Sequence, residues 1–329
     1  MSFKRVVALA GLALLLLASG RQLALARSGP GSVTPAHLSI APAGSAQAFT
    51  FAVTADMREF SGPGLYDTSQ YFRGAVEAIG ALGAGAFMVS PGDIDPPVGV
   101  RWTITQTLGT DYPWYPVVGN HEEETASDMI YLRGYGYGAV NPGPSGCPET
   151  TYSFDYANVH IAVLNEYCDT AGDDVTAGDV PDHLYNWLVA DLAATTQEHV
   201  FVLGHEPAYL LPDEDNGRLR HETDSLNAFP ANRTRFWDLL KTEGVVAYIC
   251  GHTHNYSLAG FEGVWQMDAG HARSLGDTGA ASTFILVNVD GPAVTYETYR
   301  TEAQSGAYEL RHGGALAGPQ AFLPLVRRP

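Results

Sequence analysis

Val245-Val246-Ala247-Tyr248-Ile249-Cys250 runs directly into Gly251-His252-Thr253-His254. The apolar run reads as a buried strand, and the glycine permits a sharp turn where it ends. Two imidazoles then flank one small residue, and neutral imidazole is the commonest metal ligand near neutral pH. Four other apolar runs end in the same manner. Ala48 to Thr54 leads to Asp56-Met57-Arg58, and Ala86 to Val89 leads to Gly92-Asp93-Ile94-Asp95-Pro96. Trp114 to Val118 leads to Gly119-Asn120-His121-Glu122, and His199 to Leu203 leads to Gly204-His205-Glu206-Pro207.

Helical periodicity lies between these runs. Ser69 to Leu82 puts Phe72, Ala75, Val76 and Ile79 on one face, and Val100 to Leu108 reads as a second helix. Pro181 to Ala194 directs Leu184, Trp187, Leu188 and Leu192 inward, and a further helix runs through Phe236, Leu239 and Leu240. Strands that alternate with helices imply a largely parallel sheet, with a ligand site at the carboxyl ends of its strands. Thr151 to Tyr156 and Val159 to Asn165 alternate across Ala157-Asn158, a hairpin signal. Strands are expected near Val264 to Met267, Phe284 to Val289 and Ala293 to Tyr299, with a tail from Thr301 onward. Glu123 to Glu149 has no clear period and carries Tyr131, Tyr135 and Tyr137. It is either a solvent-facing insertion or a substrate wall. The polar stretch Pro212 to Pro230 holds Arg218, Arg220 and His221.

The 329 residues are 45% hydrophobic and 16% charged, enough for a large core. Residues 1–26 read as an export signal, with Lys4 and Arg5 before a short apolar run and Ala24-Leu25-Ala26 as a cleavage site; an uncleaved membrane anchor is the alternative. Residues 27–47 read as a flexible leader before a domain spanning 48–300. Cleavage would remove three basic residues and no acidic one, making the net charge three units more negative than −18. Such a surface repels nucleic acid and anionic membrane, and no later stretch is apolar enough to span a bilayer. An anionic substrate therefore needs a local positive site, which bound metal supplies. In an oxidising compartment Cys147 and Cys168, both in loop-like sequence, are candidates for a disulfide, while Cys250 lies within a buried strand.

Mixed imidazole, carboxylate and amide donors suit Zn, Mn, Fe or Co better than Mg or Ca. Their number exceeds what one tetrahedral ion needs, so one or two divalent or trivalent transition-metal ions are expected. In order and spacing, Asp56, Gly92-Asp93, Gly119-Asn120-His121-Glu122, Gly204-His205 and Gly251-His252-Thr253-His254 resemble the motifs of the calcineurin-like metallophosphoesterases. The hairpin from Tyr152 to His160 resembles the purple acid phosphatase branch. That resemblance implies an α/β fold, a four-layer α/β/β/α sandwich of two mixed sheets. It also implies hydrolysis of a phosphate mono- or diester by a metal-bound hydroxide. Asp93 would bridge the metals, with Asp56 and His254 on the first ion and Asn120, His205 and His252 on the second. His121 would stabilise the phosphoryl group or protonate the leaving oxygen. One departure stands out: Arg58 and Pro96 occupy positions where the family usually supplies a further ligand, His or Tyr, to the first ion. Arg58 then either grips phosphate or pairs with Asp95 or Glu59. A catalytically inactive phospho-ligand-binding protein and a hydrolase of non-phosphate esters or amides are the rival readings.

Overall fold

A computed structural model describes residues 48–58, 68–69, 71–137, 140–168, 177–273, 279–302 and 307–318. Two mixed sheets carry the fold. The first has the order β13-β12-β11-β1-β2-β3, built from β1 (Phe49–Val53), β2 (Met88–Ser90), β3 (Trp114–Pro116), β11 (Ser282–Asp290), β12 (Ala293–Thr301) and β13 (Glu309–Ala317). The second has the order β4-β5-β6-β7-β8-β10-β9. Its strands are β4 (Asn141–Pro142), β5 (Tyr152–Tyr156), β6 (Val159–Val163), β7 (His199–Leu203), β8 (Ala247–Cys250), β9 (Tyr256–Phe261) and β10 (Val264–Ala269). Parallel pairs form each centre, β1-β2-β3 in one and β6-β7-β8-β10 in the other, and antiparallel hairpins flank them.

The period-2 alternation of each strand divides the core. Phe51 and Val53 of β1, Phe201 and Leu203 of β7, and Ile285 and Val287 of β11 pack together between the sheets. Their neighbours Val200 and Val202 face outward to α5 (Asp182–Ala194) and α6 (Pro230–Thr242). Ala52, Phe284 and Leu286 face α1 (Phe72–Ala81) and α2 (Pro97–Leu108). The layers are therefore α/β/β/α. Helix α1 buries Phe72, Ala75, Val76 and Ile79, the expected face. Trp187 of α5 lies at the margin of the core, and its indole N–H donates to Pro142 O at 2.9 Å.

Four expectations need correcting. The strands that carry the candidate ligands do not share one parallel sheet: β1, β2 and β3 belong to the first sheet and β7 and β8 to the second. The stretch from Thr301 onward is not wholly a tail, because β13 pairs antiparallel with β12. The irregular region after Glu123, where α3 (Asn120–Glu123) ends, contains α4 (Ala126–Gly134), and its tyrosines face inward. Tyr137 stacks on Tyr152 at 4.2 Å and Tyr135 meets Trp114 edge-on at 5.5 Å. Strand β9, absent from the periodicity reading, completes a hairpin with β10.

Cys147 and Cys168 form a disulfide across 21 residues, and Cys250 is a buried free thiol. On the chain-entropy account a loop of this size contributes about 3 kcal/mol. The expected signal and leader, residues 1–47, and Glu59 lie outside the described residues. No described helix is long and apolar enough to cross a membrane.

Candidate metal centre

The carboxyl ends of β1, β2 and β3 bring Asp56, Asp93 and Asn120 to one edge, and those of β7 and β8 bring His205, His252 and His254. Four of these residues, Asp56, Asp93, His252 and His254, have φ between 51° and 71°. A non-glycine residue in that region is uncommon, and its strain persists only where surrounding contacts hold it. Here the contacts are dense. His252 N–H donates to Asp56 Oδ2 at 2.9 Å, and Asp56 N–H donates to Gly92 O at 3.1 Å. The loops touch so closely that glycine is required at two positions. A Cβ on Gly92 would lie 2.3 Å from His205 Nδ1, and one on Gly119 would lie 2.4 Å from Asp93 Oδ1.

Hydrogen bonding fixes which ring nitrogens offer lone pairs. His205 Nδ1 donates to Pro91 O at 2.8 Å, so Nε2 carries the lone pair. His252 Nε2 donates to Asp224 O at 2.7 Å, leaving the lone pair on Nδ1. Those two lone-pair nitrogens lie 3.3 Å apart, and Asp93 Oδ1 is 3.3 Å from His205 Nε2. Burial drives the His205 pKa down to about 3 and that of His252 well below its usual value, so both rings are neutral. Asn120 Oδ1, on the loop that meets Asp93, is buried with no hydrogen-bond partner among the described residues. Acceptors facing one another with no proton between them repel; a cation among them removes the conflict. The donors Asp93, Asn120, His205 and His252 thus fit a transition-metal ion.

A second set lies beside it. Asp56, Asp93 and His254 offer ligand atoms all within 4.8 Å of one another, with His254 Nε2 3.5 Å from Asp56 Oδ1. Burial raises the pKa of both aspartates, and their mutual proximity adds to this at Asp56. Arg273 opposes the rise at both, and His121 and Arg58 do so at Asp93. Two buried carboxylates at this distance call for positive charge.

His121 Nε2 lies 3.6 Å from Asp93 Oδ2 and receives a hydrogen bond from Arg58 Nη1. Arg58 Nε is also 3.4 Å from Asp95 Oδ1, so the guanidinium joins the site to a salt bridge. All eight residues singled out from the sequence therefore lie at this edge. Sequence reasoning assigned no role to Arg220, Asp224, Glu166 or Arg273. Arg220 Nη1 donates to His254 Nδ1 at 2.6 Å, and Glu166 Oε2 accepts the His205 backbone N–H at 2.8 Å. Arg273 is buried and donates to Arg58 O at 2.9 Å. Its signal was present: it follows β10, another apolar run that ends in polar residues. A further group, His221, Asp224 and His252, adjoins the centre, whereas among the described residues His183 gathers with the disulfide-bonded Cys147 and Cys168.

The calcineurin-like phosphoesterase profile matches residues 49–256, more than half of the chain. The chain belongs to the calcineurin-like phosphoesterase family. Within that family it is similar to purple acid phosphatase 18 of Arabidopsis thaliana, 29% identical over 159 residues, covering 46% of this chain and 32% of that protein. It is 26% identical over 156 residues to tartrate-resistant acid phosphatase type 5 of Rattus norvegicus, covering 44% and 43%. The chain thus spans less than half the length of these relatives. The solved purple acid phosphatase PPD1 from yellow lupin (Lupinus luteus) seeds superposes with a TM-score of 0.59 at 14% identity, over 84% of this chain and 55% of that one. At that identity the likeness is one of fold.

Proposed function

We propose that this calcineurin-like protein is an exported metal-dependent phosphoesterase that hydrolyses a phosphate mono- or diester. The reading rests on one observation above the rest: the lone pairs of His205 Nε2 and His252 Nδ1 face each other beside Asp93, with a buried Asn120 Oδ1, unpartnered among the described residues, on the adjoining loop. Asp93, Asn120, His205 and His252 would hold one ion, and Asp56, Asp93 and His254 the other, with Asp93 shared. Ions bound there would supply Lewis acidity toward phosphoryl oxygens and would lower the pKa of water.

The remaining work falls to the chain. Arg58, hydrogen-bonded to His121, is placed to grip a non-bridging phosphate oxygen through its fork of donors. His121 stabilises the phosphoryl group or passes a proton to the leaving oxygen. The backbone bonds of Pro91 and Asp224 to the two imidazoles keep them aimed, so the donor set is preorganised. Export is supported by the Cys147–Cys168 disulfide, since such bonds persist in oxidising compartments.

Assaying metal-loaded protein against a phosphomonoester, a phosphodiester and a carboxylic ester tests the reading. Turnover of either phosphoester, abolished by chelation, is expected. Binding of phosphate without turnover would favour an inactive phospho-ligand-binding protein, and turnover of only the carboxylic ester would favour a different hydrolase.

A further inference from the structure

His254 reaches toward the first metal position with Nε2, 3.5 Å from Asp56 Oδ1. Its other nitrogen, Nδ1, is 2.6 Å from Arg220 Nη1. A guanidinium has donors only, so Nδ1 must be the acceptor and must carry no proton. A neutral imidazole holds a single N–H, which therefore resides on Nε2, pointing at the Asp56 carboxylate. A nitrogen that bears a proton cannot ligate a metal. The hydrogen bond from Arg220 and ligation through Nε2 thus require opposite tautomers of one ring. Charge acts in the same direction, because a guanidinium against the ring repels an incoming cation.

Arg220 has an alternative partner if the site takes phosphate. It lies in the polar stretch between β7 and α6, half-buried at the centre's edge. The planar fork of arginine binds phosphate oxygens better than it binds a single imidazole nitrogen. When Arg220 turns to an oxyanion, Nδ1 is free to take a proton while Nε2 gives one up. The ring stays neutral and the proton count is unchanged.

We propose that Arg220 is a tautomer lock on His254, which couples loading of the first metal position to phosphate: the lock holds while the site lacks an oxyanion and opens when one arrives. The inference rests on the metallophosphoesterase reading and adds to it a regulated, substrate-linked second ion. By thermodynamic reciprocity the ion must tighten phosphate by the same factor that phosphate tightens the ion.

The test is a Mn²⁺ titration of the metal-stripped full chain, followed by the loss of the free-ion EPR signal, with and without inorganic phosphate. Wild type and Arg220→Ala are compared. In the wild type one equivalent is expected to bind tightly and a second weakly, with phosphate tightening the second about tenfold. In Arg220→Ala the second equivalent should bind about tenfold more tightly without phosphate, and phosphate should add little. Nitrogen-15 NMR of the metal-free protein gives a readout independent of affinity: the His254 proton should be on Nε2 in the wild type. Equal second-ion affinity in the two proteins overturns the lock, as does a wild-type His254 protonated on Nδ1. A full phosphate effect in Arg220→Ala overturns it too. Failure of the wild type to bind even a first equivalent overturns the metal reading itself, and this proposal with it.

Discussion

Glu122 Oε2 accepts the backbone N–H of Asp93 at 3.0 Å, tying the loop after β3 to the loop after β2. The same carboxylate takes Gly119 N–H at 2.7 Å and, through Oε1, Ile94 N–H at 2.7 Å. One buried side chain thus serves three backbone donors on two loops, and it fixes the positive-φ turn that presents Asp93. Glu122→Ala leaves those donors without an acceptor. Each unmet buried donor costs about 1–3 kcal/mol, so a loss of about 3 kcal/mol or more is expected in urea unfolding, with reduced metal content. Glu122→Gln keeps the shape and should retain part of both. Unchanged metal content in Glu122→Ala would show that Asp93 needs no such support.

The site was legible in the sequence because its chemistry sits where apolar runs stop. Cys250 ends one such run, and Gly251-His252-Thr253-His254 follows at once. The partition into two sheets was legible only through the family resemblance, not from the strands themselves. A strand such as Ala247–Cys250 is buried on both faces, so its run of apolar residues carries no record of its neighbour. Strand β13 leaves little signal in the sequence because Gly313 and Gly314 interrupt it and few of its residues are buried. Helix α4 buries only Met129 and Leu132 among its apolar residues, too weak a stripe to stand out. Arg220 was hidden for another reason: its meaning lies in a contact with His254, 34 positions away, and no local pattern encodes that.

His205 and His252 offer the clearest test of the ligand assignment. Loss of a partner that merely orients a ligand typically costs 10–100-fold in metal affinity or activity, so loss of the ligand itself should cost more than about 100-fold. His205→Ala and His252→Ala are each expected to strip most of the tightly bound metal, measured by elemental analysis, and most phosphoester turnover. Near wild-type metal and activity in either variant would mean that its imidazole is structural.

His160 makes a separate prediction, about stability. Its Nδ1 lies 2.7 Å from Asp155 Oδ1 and its Nε2 2.9 Å from Asp191 Oδ2. Burial opposes the charged ring, yet the hydrogen bonds and charges of the two aspartates outweigh it and raise the pKa. A histidine whose folded pKa is raised contributes stability that is complete below the unfolded value of about 6.5 and lost as pH rises through the folded value. Urea midpoints should therefore fall from pH 6 to pH 8.5 in the wild type and fall less in His160→Gln. Breaking the buried pair should also cost about 3 kcal/mol at pH 6. Parallel pH profiles for the two proteins would rule out this ring as the source.

Arg58 stands where the family usually supplies a ligand to the first ion, and its contacts serve both of the roles open to it. Its Nη1 donates to His121 Nε2, and its Nε is 3.4 Å from Asp95 Oδ1. A guanidinium cannot ligate a cation, so on the proposed assignment the donors left for that ion among the described residues are Asp56, Asp93 and His254, and it should bind more weakly than the other. The two roles separate by variant. If Arg58 grips phosphate, Arg58→Ala loses a charge-assisted hydrogen bond of about 1.5–3 kcal/mol, raising KM about tenfold or more without adding a second ion. Arg58→His restores a ligand and should raise metal content. Asp95→Asn removes the salt bridge and leaves the grip in place, so KM should stay near the wild-type value. If Asp95→Asn and Arg58→Ala instead lower the unfolding midpoint alike and neither moves KM, Arg58 serves the structure alone.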